Sequence, residues 1–225
     1  MKAVILLSGG LDSTVCMSVA KQAGYELIPI SFNYGQRHSR ELDSAKSVAQ
    51  YYMVKRHVII ETNMRAIGGS ALTDNIEVPA GEEHHSDSDI PITYVPARNL
   101  IFLSYALGLA EVEQAEKLFI GVNALDYSGY PDCRPEFIQR FQEVADYATK
   151  AGVEQKRIIV ETPLQHLTKA EIIKLGMANQ APLHLTTSCY QGGEEACGIC
   201  DSCILRLKGF REAGFQDPIK YALRR

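Results

Sequence analysis

The chain has 225 residues, 46% hydrophobic and 22% charged, with a formal net charge of −4. That length suits one α/β domain with at most a small appendage, and the balance excludes fibrous and disordered classes. No basic run exceeds Arg224-Arg225, which argues against a large nucleic-acid footprint, and no run approaches the roughly 20 apolar residues that span a bilayer.

Residues 3–7 form a continuous apolar run, the pattern of a strand buried on both faces. A glycine turn leads into a helix over about 13–23, closed by Gly24. A strand at 26–32, a helix at 39–53 and a strand at 57–61 follow. Residues 68–91 break the alternation with a polar stretch containing His84, His85, Asp87 and Asp89, read as a solvated loop. The pattern resumes with a helix over 98–113, a strand at 118–122 and a helix from Pro135 to about residue 150. A strand at 157–161 comes next, and Thr168 with Glu171 makes a capping box for the following helix. Five such alternations predict a doubly wound five-stranded parallel sheet, with ligands beyond the carboxyl ends of its strands. Loops 8–13, 33–38, 94–99 and 123–134 should share that edge. From Ser188 the chain becomes cysteine-rich, so 1–186 and 187–225 are expected as separate units.

Ser8-Gly9-Gly10-Leu11-Asp12-Ser13 leaves the first strand and enters a helix. Glycines let backbone amides approach an anion, and the helix N-terminus adds donors and partial positive charge. The loop lacks the lysine of a Walker motif and the spacing of a dinucleotide fold. A carboxylate beside phosphates is repulsive, so Asp12 is assigned to holding magnesium or to shaping the loop. Phe32 and Arg37 follow the second strand at the same edge. Arg98 stands at a helix start, where a cation is unfavourable without a nearby anion. Lys169 is a candidate phosphate contact. Asp126, Tyr127, Asp132 and Arg134 combine ring-stacking and hydrogen-bonding groups suited to a planar heterocycle.

Cys189, Cys197, Cys200 and Cys203 have metal-ligand spacing. Four thiolates make a closed tetrahedral zinc shell, structural rather than catalytic, and an iron–sulfur cluster takes four cysteines too. Cys16 reads as a core residue, and Cys133 has no assigned role. Without a secretory signal, the chain is expected in a reducing cytoplasm, with thiols rather than disulfides.

The loop at 8–13 resembles that of the pyrophosphate-loop ATP pyrophosphatases, which cleave ATP between its α and β phosphates. Taken with Phe32 to His38, Val95 to Asn99, the 123–134 segment, Thr168 to Glu171 and the tail opening Thr187-Ser188-Cys189, the chain resembles the 7-cyano-7-deazaguanine synthases of the queuosine pathway over nearly its whole length. The resemblance implies an adenine nucleotide alpha hydrolase-like fold and conversion of a 7-carboxy-7-deazaguanine and ammonia to the nitrile with Mg-ATP. It implies Ser8, Gly9, Gly10, Leu11, Asp12 and Ser13 around the phosphates, with Phe32 and Arg37 on the nucleotide. Asp12, Ser13, Arg98 and Lys169 act in catalysis, and Asp126, Tyr127, Asp132 and Arg134 hold the deazapurine. One structural zinc sits on the four cysteines of a C-terminal flap, in a homodimer that binds neither nucleic acid nor membrane. Two other readings share parts of this pattern: a pyrophosphate-loop enzyme that adenylates a tRNA base, and a regulatory protein with a nucleic-acid-binding zinc module.

Overall fold

Residues 1–36, 39–76, 90–125 and 129–222 are described by a computed structural model. Strand β1 (Lys2–Leu6) is buried along nearly its whole length. Its side chains alternate between two cores: Val4 and Leu6 join one, Ala3 and Ile5 the other. A strand with apolar neighbours on both faces must sit centrally. Accordingly β1 lies between β2 (Glu26–Asn33) and β4 (Lys117–Phe119), with β3 (Val58–Glu61) and β5 (Ile159–Glu161) at the edges. All four strand pairings are parallel, in the order β3-β2-β1-β4-β5.

Helices α3 (Arg98–Glu113) and α4 (Pro135–Ala148) supply Leu103, Ala106, Ile138 and Phe141 to the core on one face. On the other face α1 (Leu11–Gln22) and α2 (Arg40–Tyr51) pack with α6 (Lys169–Ala178) and α7 (Asp201–Ala213). A short helix α5 (Lys150–Val153) follows α4. This is the doubly wound parallel sheet expected from the strand–helix alternation. Among the described residues, no helix is long and apolar enough to cross a membrane.

Of the boundaries that differ from the sequence reading, three have a clear local reason. Helix α1 starts at Leu11 rather than at residue 13, because extended Gly10 serves as N-cap and Asp12 enters the first turn. Sheet pairing in β4 stops at Phe119, and residues 120–123 continue as a non-strand segment at the cleft. The expected long helix after Pro135 breaks at Thr149, whose extended backbone ends α4 and whose hydroxyl accepts from Gly152 to start α5.

The strand order reverses between β1 and β4. Crevices at such a switch point are where doubly wound sheets bind ligands.

Candidate active site

A cleft opens at this switch point, lined by the loop after β1, the ends of β2 and β4, the start of α3 and residues 187–190. Helices from opposite faces of the sheet therefore meet across it.

On the α1 side the loop is pre-shaped. The backbone amide of Ser8 donates to Ser13 Oγ at 3.2 Å, and Ser13 Oγ donates to the Gly10 carbonyl at 3.1 Å. Ser8 Oγ lies 3.0 Å from Ser13 Oγ and accepts from the Gly10 amide at 3.2 Å. Gly9 has φ +86, and a Cβ there would collide with the Glu41 carbonyl and lie 2.6 Å from Ala45 N. Only glycine fits both the left-handed backbone and the contact with α2. No side chain caps α1, and Leu11, Asp12 and Ser13 of its first turn line the cleft. Such a turn offers backbone donors and partial positive charge to an anion.

Lys169 reaches the same place from α6. Its capping box forms as expected, with Thr168 accepting from Glu171 N and the Glu171 carboxylate accepting from Thr168 N. This fixes the helix start, and the Lys169 ammonium donates to both Asp12 carboxylate oxygens at 2.8 Å. Of the two roles open to Asp12, the structure displays anchorage of a cationic side chain in the loop.

On the α3 side the wall is aromatic. Phe32 stacks on Phe102 at 3.9 Å between ring centroids. Tyr34, Tyr130 and Arg98 complete this wall. Burial opposes the charge on Arg98, but Tyr34, Tyr130 and Glu41 more than offset it and raise its pKa above the ordinary guanidinium value. Burial likewise raises the Tyr34 and Tyr130 phenols, keeping both neutral. The neutral phenols and the guanidinium give this aromatic wall hydrogen-bonding groups for a polar guest.

Asp132 and Arg134, expected at the substrate, sit beside rather than in this lining. A buried Asp132 carboxylate oxygen accepts from the Asn99 amide at 2.9 Å, in the first turn of α3. The carboxylate thus caps the helix that carries Arg98, although burial raises its pKa. Arg134 is exposed at the N-cap of α4. Cys133 does line the cleft, with a thiol pushed up to about 12, chiefly by burial. Cys16 is a fully buried core residue, as read from the sequence. Arg37, Asp126 and Tyr127 lie outside the described residues, as do His84, His85, Asp87 and Asp89.

The four tail cysteines converge, their sulfurs within 4.8 Å of one another. Backbone amides of Cys197, Ile199 and Cys200 point at cluster sulfurs at 3.3–3.5 Å. Thiol donation from Cys200 and Cys203 pulls Cys189 far below its ordinary range, while Cys200 is held up to about 11. Four soft donors sharing protons at this spacing fit a cation such as zinc.

Sequence reasoning missed Arg206. This fully buried residue of α7 donates through Nε and Nη2 to Asp217 at 2.7 and 2.9 Å. Its Nη1 donates to the hydroxyls of Thr186 and Ser188 at 2.8 and 3.3 Å. Next to them, the Thr187 amide donates to the Gly9 carbonyl at 3.0 Å, tying the tail to the loop after β1. The 11-residue separation of Arg206 and Asp217 carried no signal of this pairing.

Residues 2–214 match the family model described as queuosine biosynthesis protein QueC. Curated relatives include 7-cyano-7-deazaguanine synthase 2 of Desulfitobacterium hafniense (strain Y51), 64% identical over 98% of this chain and 93% of its own. The 7-cyano-7-deazaguanine synthase of Acetivibrio thermocellus is 62% identical over 98% of this chain and 97% of its own. Among solved structures, NMN synthetase from Francisella tularensis aligns with a TM-score of 0.50 at 16% identity, over 96% of this chain and 78% of that one, a likeness of fold.

Proposed function

The chain belongs to the queuosine biosynthesis protein QueC family, and we propose that it is an ATP-dependent carbon–nitrogen ligase converting 7-carboxy-7-deazaguanine and ammonia to 7-cyano-7-deazaguanine. One observation carries the reading. A single cleft joins an anion-binding loop with a buried Lys169–Asp12 pair to an aromatic wall holding the Arg98 cation.

The chemistry asks for both. A carboxylate is a poor electrophile, because its charge repels nucleophiles and oxide does not leave. Attack of the carboxylate oxygen on the α phosphorus of ATP gives an acyl adenylate and releases pyrophosphate. Ammonia attacks the acyl carbon, AMP leaves and the amide remains. The amide oxygen then attacks a second ATP, and loss of AMP with the two nitrogen protons leaves the nitrile. Retaining the amide between rounds requires a cleft that excludes water.

In this reading Ser8, Gly9, Gly10, Leu11 and Ser13 cradle the leaving pyrophosphate, and Asp12 holds Lys169 against it. Lys169 and Arg98 neutralise the charge that develops during transfer. Phe32 and Arg37 flank the nucleotide. Asp126, Tyr127 and Arg134 recognise the deazapurine, while Asp132 serves that end by fixing the start of α3. ATP enters with magnesium; both Asp12 oxygens are already engaged by Lys169, so no step is assigned to a metal on Asp12. In the tail that follows residues 1–186, one zinc on the four cysteines stabilises the segment that borders the cleft, while α7 packs into the core of the ATP pyrophosphatase unit. In this reading the protein works as a homodimer in the cytoplasm. The reading is tested by product analysis with Mg-ATP, ammonium and 7-carboxy-7-deazaguanine, where nitrile, AMP and pyrophosphate must appear together.

A further inference from the structure

Residues 186–188 run as a strap beside the start of α1. The Thr187 amide donates to the Gly9 carbonyl at 3.0 Å, and a Cβ on Gly10 would lie 3.6 Å from the Thr187 carbonyl oxygen. Ser188, the next residue, lines the cleft together with Ser8, Gly10, Ser13 and Lys169. Its side chain is held by Arg206. All five guanidinium N–H groups of Arg206 are engaged: by Asp217 at Nε and Nη2, by the Leu183 carbonyl at Nη2, and by the hydroxyls of Thr186 and Ser188 at Nη1. The guanidinium therefore has no donor left for a guest. Asp217 accepts in turn from the Tyr221 hydroxyl at 2.6 Å and the Ile219 amide at 3.2 Å, which fixes the cation from its far side. The two hydroxyls that Arg206 grips differ. Thr186 spends its proton on the Leu183 carbonyl at 2.7 Å. Ser188 accepts from Arg206 at 3.3 Å, and among the described residues no hydrogen bond uses its proton.

We propose that Ser188 is a further phosphate-binding residue, whose hydroxyl donates to the pyrophosphate portion of ATP, with Arg206 as the positioning residue that orients it. The proposal deepens the ATP reading above and rests on it. A hydroxyl that accepts from a cation becomes a stronger donor, and its proton is directed away from that cation. The open space that Ser188 borders is the cleft. A donor there adds to the first-turn amides of α1, which no side chain caps, and to the Lys169 ammonium. It also gives the buried Arg206–Asp217 pair a role at the cleft without contact between the guanidinium and the nucleotide.

The test uses the full-length, zinc-loaded protein and calorimetric binding of Mg-ATP, Mg-pyrophosphate, AMP and 7-carboxy-7-deazaguanine. Ser188→Ala should weaken Mg-ATP and Mg-pyrophosphate about 10- to 100-fold, the range for a hydrogen bond to a charged group. AMP and the deazapurine should bind as to the parent, with zinc content and melting temperature unchanged. Arg206→Lys keeps the charge but loses the donors to Thr186 and Ser188, and should weaken Mg-ATP to a similar degree. The double variant should bind no more than about twofold worse than Ser188→Ala alone. Asp217→Asn, which loosens the same guanidinium, serves that comparison if Arg206→Lys does not fold. Unchanged Mg-ATP affinity in Ser188→Ala, or a loss confined to AMP or the deazapurine, overturns the phosphate contact and leaves the ATP reading standing. Additive losses in the double variant overturn the role of Arg206. A parent protein that binds neither Mg-ATP nor Mg-pyrophosphate overturns both the proposal and the reading beneath it.

Discussion

The Lys169 ammonium at the start of α6 lies 2.8 Å from both carboxylate oxygens of Asp12 at the start of α1. Both side chains are largely buried, and Gly209 of α7 leaves the space that the lysine stem occupies. The pair is close to neutral, so an acidic residue can sit in an anion-binding loop without repelling its guest. Three distant segments must be correctly placed before the loop is complete.

Breaking this pair should cost both stability and turnover. Asp12→Asn removes the Asp12 charge from a largely buried ammonium, which destabilises by about 3 kcal/mol. The double variant Asp12→Asn/Lys169→Met should lose less than the sum of the single losses while remaining inactive. Denaturant unfolding and AMP release report the two effects separately.

Gly9→Ala forces a side chain into left-handed backbone and against the Glu41 carbonyl. A loss of about 2 kcal/mol or more is expected from strain and displacement of α2, together with loss of ATP binding. Thermal unfolding and nucleotide calorimetry check it. Gly24→Ala, also at positive φ but with open space around its Cβ, should leave ATP binding intact.

Burial, with Lys46 adding to it, lowers the pKa of His57, whose Nε2 lies 2.7 Å from Ser31 Oγ. The unfolded chain then binds a proton more readily than the folded one. Stability is therefore full above the ordinary value of 6.5 and declines as pH falls through it toward the lowered folded value. His57→Gln should flatten that part of the melting-temperature profile relative to the parent protein.

Features carried by local pattern were legible in the sequence. The unbroken apolar run at 3–7 gave a central strand, and Thr168 with Glu171 gave a capping box. The cysteine spacing gave a convergent cluster. Features set by long-range packing were not. The Asp132 carboxylate meets an amide of α3, 33 positions away in the chain, a contact that no local pattern announces. Arg98 is expected to have an anion nearby, and Glu41 of α2 supplies one alongside two phenols, partners from other elements that no local pattern names. The Arg206–Asp217 pair depends on how α7 folds back over the tail, which no spacing encodes.

Phosphate loop and sulfur cluster should fail independently. Ser13→Ala removes a hydroxyl from the anion site and should lower ATP cleavage about 10²- to 10³-fold with bound metal unchanged. Cys200→Ala opens the shell and should lose metal and fold stability together. Elemental analysis, unfolding and AMP release on both variants give the comparison. A folded, metal-bound, active Cys200→Ala protein would remove the case for four ligands.

The most direct measurement of the central claim is the stoichiometry of the complete reaction, followed by mass spectrometry from 7-carboxy-7-deazaguanine, ammonium and Mg-ATP. Two successive activations of one substrate predict two AMP and two pyrophosphate per nitrile, with the amide as a transient. ADP and phosphate in place of AMP, or no nitrile from folded and metal-loaded protein, would contradict it.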